Sequence, residues 1–331
     1  MKNLLNPFLW IILVVVVAIA AVPIVTGDAS LRETLFLILM LVVLASSVNI
    51  ITGYTGYVSF GNVVFFGLGG YFAFYLMQNY QAHFAFAALI GGIGATLVAV
   101  LIGVPVLRLR GAYFALATIG INEAMRTFVN SFEPFGGSVG MFFNYEVYNA
   151  YGGAKNALWL AYDGIVVVAL VTIVASFLIK KSKFGLGLMA IREDQDAAQV
   201  IGINPVRSKV IAYAFSAFFP ALAGALFFFK NGIIEPNVAF DLLRSIEALV
   251  MVMLGGYGTV VGPVVGALVY ERLSTLLIIA PPLNLFGMSL GFSQLHLAIA
   301  GLLLLIIVLF VTAGFVGWLR QQFPRVRRYL E

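Results

Sequence analysis

Few residues of this chain could do chemistry, and those few lie where ionisable groups are costly. Glu123 and Arg126 stand three apart inside one apolar run, Glu247 near the start of another, and Glu271-Arg272 within a third. A carboxylate held in a low-dielectric span can carry a proton or a cation, and an arginine three residues on can neutralise it across one helical face. Glu123–Arg126 therefore has two readings, a structural ion pair or a point on a solute pathway. Glu123 or Glu271 would suit an ion-coupled transporter, and Glu123 with Arg126 an integral-membrane enzyme. His83 and His296 are far apart and read as interfacial polar residues, not as metal ligands. The chain has no cysteine, which excludes disulfides and thiolate sites. No lysine directly follows a glycine, so the Walker A loop that cradles phosphates is absent. If ATP drives this protein, another polypeptide binds it. No catalytic, cofactor-binding or metal-binding residue is expected.

The elements that must position these residues are apolar and long. The chain is 62% hydrophobic and 10% charged, whereas soluble domains are about 25% charged. The composition predicts an all-α, polytopic integral membrane protein forming a single transmembrane domain over 1–331. Apolar segments fall near 8–25, 34–51, 58–77, 84–107, 112–130, 157–179, 210–229, 245–256 with 260–280, and 295–316. A span needs about 20 residues, which gives about eight to ten transmembrane helices. Ala18-Ile19-Ala20 resembles a signal-peptidase site, but the 8–25 run is long enough to stay as a first helix.

Thirteen of the 19 basic residues sit at Lys2, at Arg108 and Arg110, in the 180–209 loop, and in the tail at Arg320, Arg325, Arg327 and Arg328. Cytoplasmic loops carry such an excess, so these places, and with them both termini, are expected in the cytoplasm. The basic-poor turns at 26–33, 78–83, 131–156, 230–243 and 281–294 are expected outside. The net charge of +5 orients the chain in a lipid bilayer and does not mark a nucleic-acid surface.

Two glycine-rich stretches interrupt the apolar pattern. Gly53-Tyr54-Thr-Gly56-Tyr-Val-Ser59-Phe-Gly61 is expected to open the third segment, and Gly255-Gly256-Tyr-Gly258-Thr-Val-Val-Gly-Pro263 divides the eighth from the ninth. Such glycines permit either close helix packing or a helix break lining a cavity. The 180–209 loop is the longest stretch that is not plainly membrane-soluble. Asp194 can cap a short helix there, Asp196 suits its positive end, and Gly202 with Pro205 beyond supplies a stop. Ala197, Ala198, Val200 and Ile201 would give that helix an apolar face with nothing of its own to bury it. A solvated loop with one helical turn and a docking knob for a partner protein both fit.

Asp196-Ala197-Ala198 followed by Gly202 resembles the "EAA" coupling loop of ABC importer permeases, with Asp where Glu is usual. Phe184-Gly-Leu-Gly-Leu-Met-Ala-Ile-Arg192-Glu193-Asp194 is similar to the permeases of branched-chain amino-acid importers. So are Leu107-Arg-Leu-Arg-Gly-Ala-Tyr-Phe-Ala-Leu-Ala-Thr118 and both glycine-rich stretches. These motifs run in the family's order from about residue 35 to 315, and match best the longer-loop member of its two-permease pair.

The resemblance implies an importer of branched-chain or similar hydrophobic amino acids in a bacterial or archaeal plasma membrane. Other relatives move urea, short amides or other amino acids. It also implies a homologous second permease, two cytoplasmic ATPase subunits holding ATP and Mg, and an extracytoplasmic solute-binding protein. Arg192, Glu193, Asp194, Asp196, Ala197, Ala198 and Gly202 would serve ATPase coupling. Gly53, Tyr54, Gly56, Ser59, Gly61, Glu123, Gly255, Gly256 and Gly258 are the candidates for pathway or helix break.

Overall fold

The computed structural model describes residues 7–279 other than Asn144, together with 283–285 and 288–290. Among these the chain is an all-α polytopic membrane protein. Its helices are α1 (Pro7–Thr26), α2 (Ala29–Val48), α3 (Asn62–Tyr80), α4 (Phe84–Val106), α5 (Ala112–Ser131) and α6 (Ala154–Lys181). They continue with α7 (Lys183–Glu193), α8 (Gln195–Val200), α9 (Pro205–Asn231), α10 (Pro236–Ala239), α11 (Leu242–Gly255) and α12 (Val261–Ile279). The expected segment at 295–316 and the arginine-rich tail lie outside the described residues.

Among the described residues, four stretches are long and apolar enough to cross a membrane by themselves: Ala29–Gly53, Phe84–Val106, Ala154–Lys181 and Pro205–Asn231. The first is α2 continued by a π-helical turn over Asn49–Gly53. Local signals set their limits. Asp28 caps α2 by accepting from the amides of Ser30 and Leu31. Asn204 caps α9, Pro205 takes its first position, and Gly232, at φ +72°, ends it. The core forms around α9, against which α2, α3, α4 and α6 pack. Small residues allow this: a side chain at Gly224 would run into the Phe66 carbonyl, and one at Gly69 into the backbone of Ala221.

Hydrogen bonds sort the interhelical turns into two groups. At one end Arg192 donates to the Gly53 carbonyl, Arg110 grips Asp196, and the Gly258 amide donates to Asn49. At the other, Lys230 pairs with Glu33, Gln78 donates to the Phe142 carbonyl, and the Tyr148 hydroxyl to the Phe229 carbonyl. The spans between measure 19 to 28 residues, or about 28 to 42 Å at ~1.5 Å per residue. The alternation is the one that the basic loops predict.

Two segments depart from expectation. The glycine-rich stretch does not open α3. The residues from Gly56 to Gly61 are non-helical and climb into the bundle, where the Phe60 amide donates to Thr118 Oγ1 at 3.0 Å. The 230–243 turn does not stay at its end either. After Gly232 the chain pairs Ile233–Ile234 (β2) with Met141–Phe142 (β1), then dips inward. Ile234, Ala239 and Phe240 are buried, and the Phe240 carbonyl accepts from Asn122, halfway along α5, at 2.9 Å. Non-helical backbone is tolerated at such depth because protein groups satisfy it; the amide of Val63 likewise finds Ser245 Oγ. The inward dip explains why α11 has only 14 residues, about 21 Å, and cannot span alone. The expected down-and-up pair at 245–280 is thus a short helix packed on a longer one.

Candidate coupling site and helix breaks

The 180–209 loop holds two helices where one was expected. Ser182 caps α7 by accepting from the Gly185 amide, and α7 buries Gly185, Leu188 and Ile191 on one stripe. Leu188 and Ile191, three apart, were the available signal, lost among the glycines beside them. Asp194 then caps α8, its Oδ1 accepting from the amides of Asp196 and Ala197 at 2.8 and 3.0 Å. Gly202, at φ +91°, stops it. Lys180 and Lys181 belong to the last turn of α6, where they suit the helix dipole, and Arg207 and Lys209 to the first turns of α9.

The apolar face of α8 is smaller than expected. Ala198 turns inward and is 2% exposed, while Val200 and Ile201 stand out at 88% and 73%. The unburied knob is therefore the Val200–Ile201 tip, with Ala197 beside it on the exposed side. Burial on a partner would be worth about 1.5 to 3 kcal/mol for each of these side chains.

Polar contacts hold α8 from behind. Arg110 binds Asp196 through both carboxylate oxygens, at 2.9 and 3.1 Å. Gln195 Oε1 accepts from the Tyr57 hydroxyl at 2.6 Å and from Lys209 Nζ at 3.2 Å. That ammonium, wholly buried, lies 3.9 Å from the centre of the Tyr57 ring. Burial pushes the Tyr57 phenol above its ordinary pKa, so it stays a neutral donor. A cavity of about 610 Å³, lined by Arg108, Arg110, Gln195, Gln199 and Asn204, opens alongside.

The two glycine-rich stretches meet at this same end. Asn49 joins them, donating to the Thr259 carbonyl at 2.8 Å and accepting from the Gly258 amide at 3.0 Å. Gly255 lies against Gly262 with no room for a side chain, and Gly256 and Gly258 take φ of +132° and +70°. Arg192 reaches the pair from α7. Glu193 beside it is exposed and binds the same guanidinium at 2.9 Å. Tyr54, wholly buried, hydrogen-bonds Ser176 at 2.7 Å. Ser59 is also buried, and Gly61 packs against Thr118 and the Tyr213 hydroxyl, deeper in the bundle. The candidate break residues thus divide into a junction at Arg192 and an inner group near Thr118.

Glu123 belongs to neither. It pairs with Arg126 at 2.7 Å on the open side of α5, whose buried stripe is Phe114, Thr118, Asn122 and Val129. Glu271 Oε1 accepts from the Thr275 hydroxyl at 3.0 Å. His83 caps α4 by accepting from the Ala85 amide; His296 lies outside the described residues. Gly136-Gly-Ser-Val-Gly140 has the Gly-x-Ser-x-Gly spacing of a hydrolase nucleophile. Here it forms a 3-10 turn and not a strand-to-helix elbow, and Ser138 is exposed. Among the described residues no group of acidic or histidine side chains could hold a metal.

The chain belongs to the family described as branched-chain amino acid transport system / permease component, whose model matches residues 30–311. It is 32% identical over 230 residues to the high-affinity branched-chain amino acid transport system permease protein LivM of Escherichia coli, covering 62% of this chain and 54% of LivM. It is 29% identical over 152 residues to the corresponding permease protein BraD of Pseudomonas aeruginosa, covering 46% of each. It is also similar to the xylose transport system permease protein XylH of Haemophilus influenzae, 34% identical over 113 residues, or 33% of this chain and 30% of XylH. The matched stretch thus spans about half the length of the first of these relatives.

Proposed function

We propose that this chain is the permease subunit of an ATP-driven ABC importer that moves branched-chain or similar hydrophobic amino acids into the cytoplasm. The single observation that carries the reading is the Val200–Ile201 tip. Two large apolar side chains stand free at the end of a six-residue helix that Asp194, Arg110 and Gln195 hold in place. An exposed apolar knob on a fixed support is a docking device, and the chain's lack of a Walker A loop calls for a partner that has one. Two cytoplasmic ATPase subunits, carrying ATP and Mg, would dock there. A homologous second permease would face the open side of α5, where Glu123 and Arg126 border the pathway, and an external binding protein would deliver solute. The Arg192 end would then be cytoplasmic, as the basic loops require.

Support for amino acids over sugars comes from the extent of the likeness. The match to LivM takes in 62% of the chain, against 33% for XylH and 43% for the ribose import permease protein RbsC of Bacillus subtilis. Urea and short amides are the alternatives on the amino-acid side.

The test is co-purification of ATPase subunits with the wild-type permease and with Val200→Asp. A charge at the centre of an apolar contact costs at least about 2 kcal/mol, or roughly thirtyfold in affinity. Gly202→Asp is a poorer probe, because the positive φ there strains any side chain. Undiminished retention of ATPases by Val200→Asp would refute docking at this tip.

A further inference from the structure

Arg192 lies in the last turn of α7, yet its side chain points away from the exposed tip and into the end of the bundle. It is 28% exposed where Glu193 is 75%. Its Nη1 donates to the Gly53 carbonyl at 3.0 Å, and its guanidinium lies 5.7 Å from the centre of the Tyr257 ring. Nε and Nη2 are held by Glu193 at 3.2 and 2.9 Å, which fixes the plane of the group.

Glycines form the walls of the slot that holds it. A methyl group at Gly56 would stand 2.9 Å from Arg192 Cγ, and one at Gly258 2.7 Å from Nη1. Neither position admits a side chain without displacing the arginine. Gly53 and Gly56 follow α2, while Tyr257 and Gly258 form the turn between α11 and α12. These two pieces are tied to each other by Asn49. One side chain of the helix pair therefore touches both helix breaks at their crossing.

We infer that Arg192 is a positioning residue, a pin that carries displacement of α7 and α8 into the end of α2 and the α11–α12 turn together. The inference rests on the permease reading above and adds to it the route of transmission. The glycines at 56 and 258 are then there to admit the pin, and the two faces of the coupling segment have separate tasks. Val200 and Ile201 hold the ATPase, and Arg192 holds the helices to be moved. A planar guanidinium suits this use because its donors are fixed in direction, so a push on α7 reaches the Gly53 carbonyl without being lost in side-chain rotation.

The experiment uses membrane vesicles carrying the complete transporter, with leucine as the solute. It reads retention of ATPase subunits on purification, ATP hydrolysis, and leucine taken up per ATP hydrolysed. Arg192→Ala is expected to keep its ATPases and hydrolyse ATP at near the wild-type rate, while uptake per ATP falls roughly tenfold. Arg192→Lys, which keeps a donor but loses the plane, should fall between. Gly258→Ala should uncouple with Arg192 intact, because it blocks the slot.

Wild-type uptake per ATP in Arg192→Ala would overturn the inference, as would loss of its ATPases, which would make Arg192 a docking contact. Should Arg192→Ala fail to insert, normal coupling in both Arg192→Lys and Gly258→Ala would overturn it equally. A wild-type chain that retains no ATPase would sink the permease reading itself, a result distinct from these.

Discussion

The two ends of the bundle are built from different materials. At the Arg192 end, separate elements are joined by directional polar contacts: Asn49 to the Gly258–Thr259 backbone, Arg192 to Gly53, Arg110 to Asp196, and Tyr57 and Lys209 to Gln195. At the Lys230 end the polar contacts of Lys230, Gln78 and Tyr148 are set among aromatic rings that pack face and edge. Phe74 stacks on Phe143 with centroids 3.8 Å apart, Phe84 on Phe229 at 4.0 Å, and Tyr148 and Tyr151 meet Phe229 edge-on. Phe135, from the 131–156 segment, packs among Tyr71, Phe72, Tyr75 and Phe132 in the same way. That segment closes the end of its own bundle.

The difference is one of what can move. A ring cluster loses area and dispersion energy under any displacement, so it resists all of them. A polar contact between two helix ends can be broken and remade with another donor, and each costs about 0.5 to 1.5 kcal/mol net. An importer driven from one side needs a workable end near its motor and a firm end to work against. In the proposed orientation the workable end is the cytoplasmic one.

The contrast can be broken in several places. All-or-none labelling is the strongest. Cysteines introduced by Val200→Cys and Ser138→Cys, both at exposed positions, should react with impermeant maleimide from opposite faces of the membrane. Same-face labelling would overturn the topology.

Next in size is Phe229→Ala at the aromatic end. Phe229 is fully buried, and its truncation should cost about 3 to 5 kcal/mol, visible as a clear drop in Tm of the detergent-purified protein. Asn49→Ala at the polar end removes two buried hydrogen bonds and should cost less, about 1 to 3 kcal/mol. Equal or reversed Tm losses for these two would erase the contrast between the ends. Smallest is Arg110→Ala. The Arg110 and Asp196 side chains are 59% and 70% exposed, and such a pair contributes about 0 to 1 kcal/mol. A large Tm loss there would show that the link is structural and not merely orienting.

Much of the fold was legible because apolar runs of membrane length and the placing of arginines and lysines are coarse signals. Asp194 as a cap and Gly202 as a stop were legible for a local reason, since both act on neighbouring backbone. What failed was whatever depends on distant partners. The inward dip after Gly232 is written in Ile233, Ile234 and Phe240, too few apolar residues to stand out beside α9. Ala198 turns inward where α8 meets α7 and α9, contacts that no local spacing records. The slot for Arg192 needs glycines from two stretches about 200 residues apart, and neither alone distinguishes a slot from close helix packing.

On the proposed reading the chain draws its energy from partner ATPases, through its coupling segment. The direct measurement is leucine uptake into proteoliposomes holding this permease and its sister, with and without the ATPase subunits, under proton and sodium gradients. Uptake should require the ATPases, ATP and the binding protein, and should be absent under either gradient alone. Gradient-driven uptake with no ATPase present would contradict the account and return Glu123 and Glu271 as ion-coupling sites.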